Sequence, residues 1–259
     1  MRFLGGARGV AGYTPRMIEY LAEYSSTACA AIGTAVLAGT AAGLLVNRWS
    51  RRYLHGFDDG NRGDERENAA HPVIAPLTCA VAFAAIAAAY GPTVEFLELA
   101  AFACTLAFAT LTDLERRIIP NACLAAAVTV RTAYLGAGFA MGAIGVDEIG
   151  YYAFSAIATG TTLLAATMAA DTFFGRESMG GGDLKLLSVA SLYFGWVDTL
   201  YIIFLSCLFA LVATGIAFAR ERLLPREGDP NPGHTMQRTI PFGPAVTLAC
   251  ILTLMLPIL

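Results

Sequence analysis

The chain has 259 residues, of which 56% are hydrophobic and only 14% are charged. Together with a mean hydropathy of +0.59, this composition excludes an ordinary soluble domain. The long apolar runs predict an all-α fold, a polytopic transmembrane helical bundle. The formal net charge of −3 gives no reason to expect a nucleic-acid partner.

Two parts of unequal length make up the predicted chain. Residues 1–24 mix arginines with short apolar groups, which favours an interfacial N-terminal segment. Residues 25–259 are predicted to be one transmembrane domain of about eight spans, and the first is rich in alanine and glycine, which favours close helix packing. The predicted spans are about 25–47, 73–90, 94–112, 121–143, 150–170, 183–196, 199–219 and 241–259.

Lysine and arginine are distributed unequally between the two sides of this predicted bundle. If the loops are counted alternately, one side contains the segments 48–71, 113–120, 171–183 and 220–240. That side carries the basic residues Arg48, Arg51, Arg52, Arg62, Arg66, Arg116, Arg117, Arg176, Lys185, Arg220, Arg222, Arg226 and Arg238. The opposite loops carry no basic residue, only the acids Glu95, Asp147, Glu148 and Asp198. Basic loops remain in the cytoplasm. We therefore expect a multi-pass protein of the cell inner (plasma) membrane with these four loops in the cytoplasm.

This topology brings two aspartates to the same, cytoplasmic, face. Asp113 follows the third span, and Asp183 begins the sixth, directly after three glycines at 180–182. A carboxylate at the edge of a membrane span is costly unless it is used or paired. Two carboxylates in a partly dry site tend to share one proton, which is the arrangement with which an aspartic protease activates water. Each aspartate taken alone is also explained as a helix cap or as the partner of a nearby arginine.

Other chemistry finds little support in the sequence. The histidines His55, His71 and His234 lie in polar loops or at their edges and lack the spacing of metal ligands. The six cysteines include no CxxC pair. We therefore expect neither a metal nor a cofactor.

Two basic residues inside or beside the spans need a partner. Lys185, two residues after Asp183, is expected either to act on that carboxylate or to extend toward lipid phosphate. Arg131 lies deep in the fourth span, where an arginine normally faces the bundle interior. Its candidate partners are Asp171 and a backbone carbonyl of a broken helix.

Three motifs resemble those of the type IV prepilin peptidases, a family of integral-membrane aspartic proteases of the GxGD type. The segment GGGDLKLL resembles the GxGD motif, with Gly180 and Gly182 as its glycines. TDLERRIIPN resembles the second aspartate motif, in which a Pro-Asn pair, here Pro120 and Asn121, follows the aspartate at a fixed distance. IPFGP at residues 240–244 resembles a late element of the family. The segment GLLVNRWSRR resembles the end of the family's first span more weakly, so the resemblance covers most of the chain from about residue 39.

The resemblance implies a membrane aspartic endopeptidase, with Asp113 and Asp183 as the catalytic pair. It implies removal of the basic leader of type IV prepilin-like proteins at the cytoplasmic membrane face. The implied partners are a prepilin or pseudopilin, with its basic leader and apolar helix, and membrane lipid.

Three alternatives stay open. Many members of the family carry two CxxC pairs after the first span and also methylate the new pilin N-terminus. Here the loop 48–71 has no cysteine, so a bifunctional peptidase and N-methyltransferase is one alternative rather than the expectation. The others are a proton-coupled transporter or channel that uses intramembrane acids, and a catalytically inactive scaffold of a secretion apparatus.

Overall fold

The structure is a computed structural model that describes residues 25–56, 72–175, 179–223 and 241–255. The predicted interfacial segment 1–24 and most of the predicted loops 48–71 and 220–240 lie outside the described residues. Within the described ranges the fold is all-helical, as predicted. The helices are α1 (Ser25–His55), α2 (Ile74–Tyr90), α3 (Val94–Arg116), α4 (Asn121–Ala140), α5 (Val146–Phe174), α6 (Gly181–Leu223) and α7 (Gly243–Met255).

Five of these helices are long and apolar enough to cross a membrane. They are Cys29–Leu54 within α1, all of α3, α4 and α5, and Gly181–Ala219 within α6, whereas α2 and α7 are shorter apolar helices. The chain is therefore a multi-pass membrane protein, but the predicted count of about eight spans is not confirmed. The predicted sixth and seventh spans both lie in α6, where Gly195 interrupts the helix with φ 80° and ψ 173°.

Local sequence explains where several helices begin and end. Gly91 ends α2 with φ 63°, and Thr93 begins α3 by accepting a hydrogen bond from the Phe96 N–H at 3.3 Å. Gly175 ends α5 in the left-handed conformation, with φ 63°. The helix α5 therefore continues to Phe174, past the predicted end of its span at residue 170. It does so because Gly175 is the first residue beyond that point that is suited to end a helix.

The helix α3 lies at the centre of the fold and α5 at its edge. More than half of α3 is buried, whereas only about a tenth of α5 is. The ring of Phe102 in α3 stacks on Tyr193 of α6, with ring centres 4.0 Å apart. The hydroxyl groups of Thr110 and Thr247 are hydrogen-bonded at 2.8 Å and join α3 to α7. The ends of α3 therefore determine which polar groups meet inside the bundle.

Close helix packing, predicted for the glycine- and alanine-rich first span, is present between α1 and α2. A methyl group added at Gly39 would lie 2.6 Å from the Cys79 carbonyl oxygen, and one at Gly43 would overlap the backbone of Pro76. At the end of α1, the Asn47 side-chain N–H donates to the Pro72 carbonyl at 3.4 Å. These contacts place the end of α1 beside the start of α2, on the same side of the bundle as the end of α3.

Candidate active site

The first component of the site is the end of α3. Asp113 lies in the last turn of this helix and is buried, with 6% of its surface exposed. Arg117 then takes the left-handed conformation, with φ 57° and ψ 39°, and its N–H donates to the Asp113 carbonyl at 2.9 Å. The chain leaves the helix immediately, so that the Asp113 side chain is held at one end of the bundle.

The start of α7 contacts this carboxyl group directly. The N–H of Gly243, the first residue of α7, donates to Asp113 Oδ2 at 2.7 Å. A methyl group added at Gly243 would lie 2.9 Å from the same oxygen, a distance that real side chains essentially never show. A backbone amide at a helix N-terminus is a strong donor to a carboxylate. The IPFGP segment therefore binds the first aspartate through a residue that must be glycine for this close approach.

Asp183 lies in the first turn of α6 at the same end of the bundle. Its N–H donates to the Gly180 carbonyl at 3.1 Å, so the glycine run forms the beginning of the helix. Its side chain is half-buried, and an electrostatic interaction with Asp113 acts on it. Its Oδ1 atom is buried and has no hydrogen-bond partner among the described residues. A buried carboxyl oxygen without a partner is costly, and such atoms are a feature of reactive sites.

The three glycines before Asp183 are not equivalent. A methyl group at Gly182 would lie 3.2 Å from Cβ of Ile119, in the turn between α3 and α4. One at Gly180 would lie 3.3 Å from Asp183 Oδ2, and one at Gly181 would meet nothing within 4 Å. Two of the three positions, Gly180 and Gly182, are therefore closely packed, the first against Asp183 itself and the second against Ile119.

The Pro-Asn pair and Lys185 lie beside this approach. Pro120 is buried and is the N-cap residue of α4, which begins at Asn121. The Lys185 Nζ atom donates to Asn121 Oδ1 at 3.0 Å. Lys185 therefore joins α6 to α4, a contact that the sequence interpretation, with lipid phosphate or Asp183 as its partner, did not include.

A second polar cluster lies deeper in the bundle, and the sequence predicted only half of it. Arg131 of α4 is buried, and its Nη1 atom contacts Glu98 Oε1 at 2.8 Å. Its Nε and Nη2 atoms donate to the carbonyls of Leu192 and Tyr193 at 3.0 and 3.3 Å. These carbonyls lie just before Gly195, where the break in α6 frees them from their helical partners.

Of the two predicted partners of Arg131, the carbonyl of a broken helix is confirmed. The acidic partner is Glu98 instead of Asp171. The ring of Tyr152 also contributes, with its centre 4.3 Å from the guanidinium carbon of Arg131. The signal that was missed is Glu98, the second acid of the apolar run VEFLELAAF, since an acid inside a span requires a partner of opposite charge.

Removing one charge of this pair is expected to destabilise the fold. Glu98→Leu leaves the guanidinium of Arg131 buried without a counter-charge, which costs about 3–5 kcal/mol of unfolding free energy. The double variant Glu98→Leu with Arg131→Met removes both charges and is expected to recover part of this loss. Thermal unfolding in detergent measures the difference, with Glu95→Gln, one turn earlier in α3, as the control. Wild-type stability of Glu98→Leu would contradict the prediction.

Fold and site together define a class: a multi-pass helical membrane protein with two interacting carboxyl groups at one end of its bundle. Residues 100–215 match the sequence model of the type IV leader peptidase family, Peptidase_A24. The match begins in α3, ends in α6 and contains Asp113 and Asp183. The resemblance predicted from the motifs is confirmed, and the family that matches is one of peptidases. Searches of curated proteins and of solved structures find no significant match.

Proposed function

We propose that the protein is an aspartic endopeptidase that removes the basic leader from type IV prepilin-like proteins at the cytoplasmic face of the inner membrane. The observation that carries the proposal is the pairing of Asp113 with Asp183. The two aspartates are 70 positions apart in the sequence, yet they lie at the same end of the bundle and interact electrostatically. Both lie in the segment that matches the leader peptidase family.

The chemistry follows from the different states of the two carboxyl groups. One group is ionised and takes a proton from a water molecule, while the other is protonated and donates a hydrogen bond to the scissile carbonyl. Attack of the water gives a tetrahedral diol. The diol collapses as the C–N bond breaks, and the departing amine receives a proton from the pair. No group other than the two carboxyls and one water is needed.

The position of the pair suits a substrate that is partly in the membrane. Both aspartates lie at helix ends, so the bond that they cleave is at the membrane boundary and not at its centre. An apolar pilin helix can lie in lipid beside the bundle while its polar leader extends into water. Arg48, Arg51 and Arg52 at the end of α1 are exposed on this side, which supports a cytoplasmic site.

The experiment that tests the proposal uses the purified protein in lipid vesicles. The test substrate has a short leader with lysines, a glycine at the cleavage site and an apolar helix of about 20 residues. We expect mass spectrometry to find the leader and the shortened helix as the two products. Inverted membrane vesicles from cells should process an added substrate that intact cells leave uncut. Absence of cleavage in vesicles, or cleavage from the outer face, would overturn the corresponding part of the proposal.

The glycine run provides a second test of the geometry. Gly182→Ala is expected to lower the rate of leader cleavage by roughly 10- to 100-fold, because the added methyl group pushes the start of α6 away from Ile119 and separates the carboxyl groups. Gly180→Ala, whose methyl group meets Asp183 itself, is expected to lower it as well.

Gly181→Ala is the matched control, since its methyl group enters open space. It should cleave at the wild-type rate, with initial rates measured by gel shift at equal amounts of inserted protein. Equal rates in all three alanine variants would show that close approach at this turn is irrelevant to the chemistry.

A further inference from the structure

The two carboxyl groups of the pair have different surroundings. Asp113 accepts the Gly243 N–H at 2.7 Å, and the backbone of Phe242 and the charge of Arg117 also interact with it. All three interactions stabilise a negative charge on Asp113. By contrast, Asp183 Oδ1 is buried and has no hydrogen-bond donor in the described part of the chain. A charge on Asp113 also repels a charge on Asp183.

Two helix dipoles act on the pair in different ways. Asp183 lies in the first turn of α6, where the helix end favours negative charge. Asp113 lies in the last turn of α3, which disfavours negative charge, but the first amide of α7 is directed at its Oδ2 atom. A direct, short hydrogen bond from an amide is stronger than the diffuse field of a helix end. Burial disfavours a negative charge on both carboxyl groups. Because Asp113 has the short amide donor that Asp183 Oδ1 lacks, the balance favours the charge on Asp113.

The other ionisable groups do not reverse this difference. On the described helices around this end of the bundle they include the exposed arginines of α1, Cys79 of α2, Glu115 and Arg116 of α3, Cys123 of α4, Asp171 of α5, Lys185 of α6 and Cys250 of α7. Lys185 is bound to Asn121. Arg117 is the charge that acts most on Asp113, and the charge of Asp113 acts on Asp183.

We propose that Gly243 is a positioning residue whose N–H keeps Asp113 as the ionised member of the pair. Asp113 is then the group that takes the proton from water, and Asp183 is the group that carries the proton and donates a hydrogen bond to the scissile carbonyl. This assignment rests on the proposed function, which names the pair but not the role of each member. It also explains the glycine, because any side chain at position 243 would collide with the carboxylate.

The pH profile of cleavage by Gly243→Ala is the first test. On this assignment, cleavage is lost at low pH because Asp113 becomes protonated, which gives the acidic limb of the profile. It is lost at high pH because Asp183 gives up its proton, which gives the alkaline limb. A methyl group at Gly243 displaces the amide from Asp113, and the ionised form of Asp113 is then less stable. We therefore expect the acidic limb to move to higher pH by about one unit, with the alkaline limb unchanged. Gly136→Ala, in α4 with open space around its added methyl group, is the control and should keep the wild-type profile.

A second measurement uses the intact sequence and needs no cleavage. With glycine labelled by ¹⁵N, the Gly243 amide resonance is identified by its loss in Gly243→Ala. A proton donated to a carboxylate resonates downfield, and its shift reports the ionisation of that carboxylate. We expect this signal to move upfield in Asp113→Asn, and in the wild type to titrate across the acidic limb of the activity profile and not across the alkaline limb.

The possible outcomes are distinct. If the acidic limb in Gly243→Ala is unchanged, or if the alkaline limb moves instead, the assignment is wrong while the proposed function stands. If Gly243→Ala is inactive at every pH, the amide titration decides, and a signal that moves only on the alkaline limb overturns the assignment. The proposed function itself is tested separately, by leader cleavage in vesicles and by the variants of the two aspartates.

Discussion

Asp113→Asn and Asp183→Asn are each expected to abolish leader cleavage. An amide cannot take up a proton from water as a carboxylate does, and it cannot deliver one as a carboxylic acid does. The loss of general acid–base catalysis alone is about 10²- to 10⁴-fold, so neither variant should give a detectable product. Insertion and folding should persist, because asparagine has nearly the same shape and removes a charge from a partly buried position. The measurement is the gel shift of a prepilin co-expressed in the same membranes.

Two aspartates that the proposal leaves out of the chemistry serve as controls. Asp147 lies in the first turn of α5, and Asp198 lies in α6 beyond the break at Gly195. Asp147→Asn and Asp198→Asn should retain nearly full activity at equal protein levels. Complete processing by Asp113→Asn or Asp183→Asn would mean that these aspartates are structural helix-end residues, and the catalytic assignment would have to be abandoned.

The wild-type protein should also show a two-sided dependence of cleavage on pH. Protonation of the ionised carboxyl group removes the base at low pH, and loss of the shared proton removes the acid at high pH. Because the two groups interact, both limbs belong to the pair jointly. A profile with one limb only, measured as the initial rate in vesicles across the pH range, would show that a single carboxyl group is sufficient.

Gly195→Ala is expected to cause the largest loss of stability among the glycine variants of α6. Gly195 has φ 80° and ψ 173°, a conformation that is essentially restricted to glycine. An added methyl group would also lie 2.7 Å from the ring and the hydroxyl of Tyr151 in α5. Because the exposed Tyr151 ring can move aside, backbone strain is the main cost and should lower the free energy of unfolding by about 1–3 kcal/mol. Unfolding monitored in detergent against temperature measures the loss.

Gly215→Ala tests the same substitution in the same helix without these two costs. No atom lies within 4 Å of a methyl group added at Gly215, and the position is exposed. This variant should be as stable as the wild type or slightly more stable, because alanine is the better helix former by about 1 kcal/mol. Equal stability of the Gly195 and Gly215 variants would show that the break in α6 is not a strained feature.

Since the Arg131 side chain binds carbonyls freed by this break, Gly195→Ala should also weaken the cluster around Glu98.

Much of the helical structure followed from the amino-acid sequence alone. Each predicted span lies largely within a helix of the described residues, because a backbone in lipid must satisfy its polar groups within the segment and because apolar length is a local property. The boundaries were less predictable, since α1 and α5 extend past their predicted spans and two predicted spans form the single helix α6. The ends of α3 and α6 were also predictable. TDLERRIIPN and GGGDLKLL change from apolar to polar within a few residues, which identifies Asp113, Asp183 and the adjacent glycines as boundary residues.

Only the tertiary structure determined which residues are partners across the bundle. Asp113 and Gly243 are 130 positions apart, and nothing in IPFGP indicates that its glycine amide binds this carboxylate. Arg131 needed an acid, yet the choice of Glu98 over Asp171 depends on how α3, α4 and α6 pack around the break at Gly195. Hydropathy places each residue at a depth in the membrane but not on a side of its helix relative to the neighbouring helices. Contacts between distant segments arise only when the helices pack together, and it is these contacts that distinguish the two carboxyl groups.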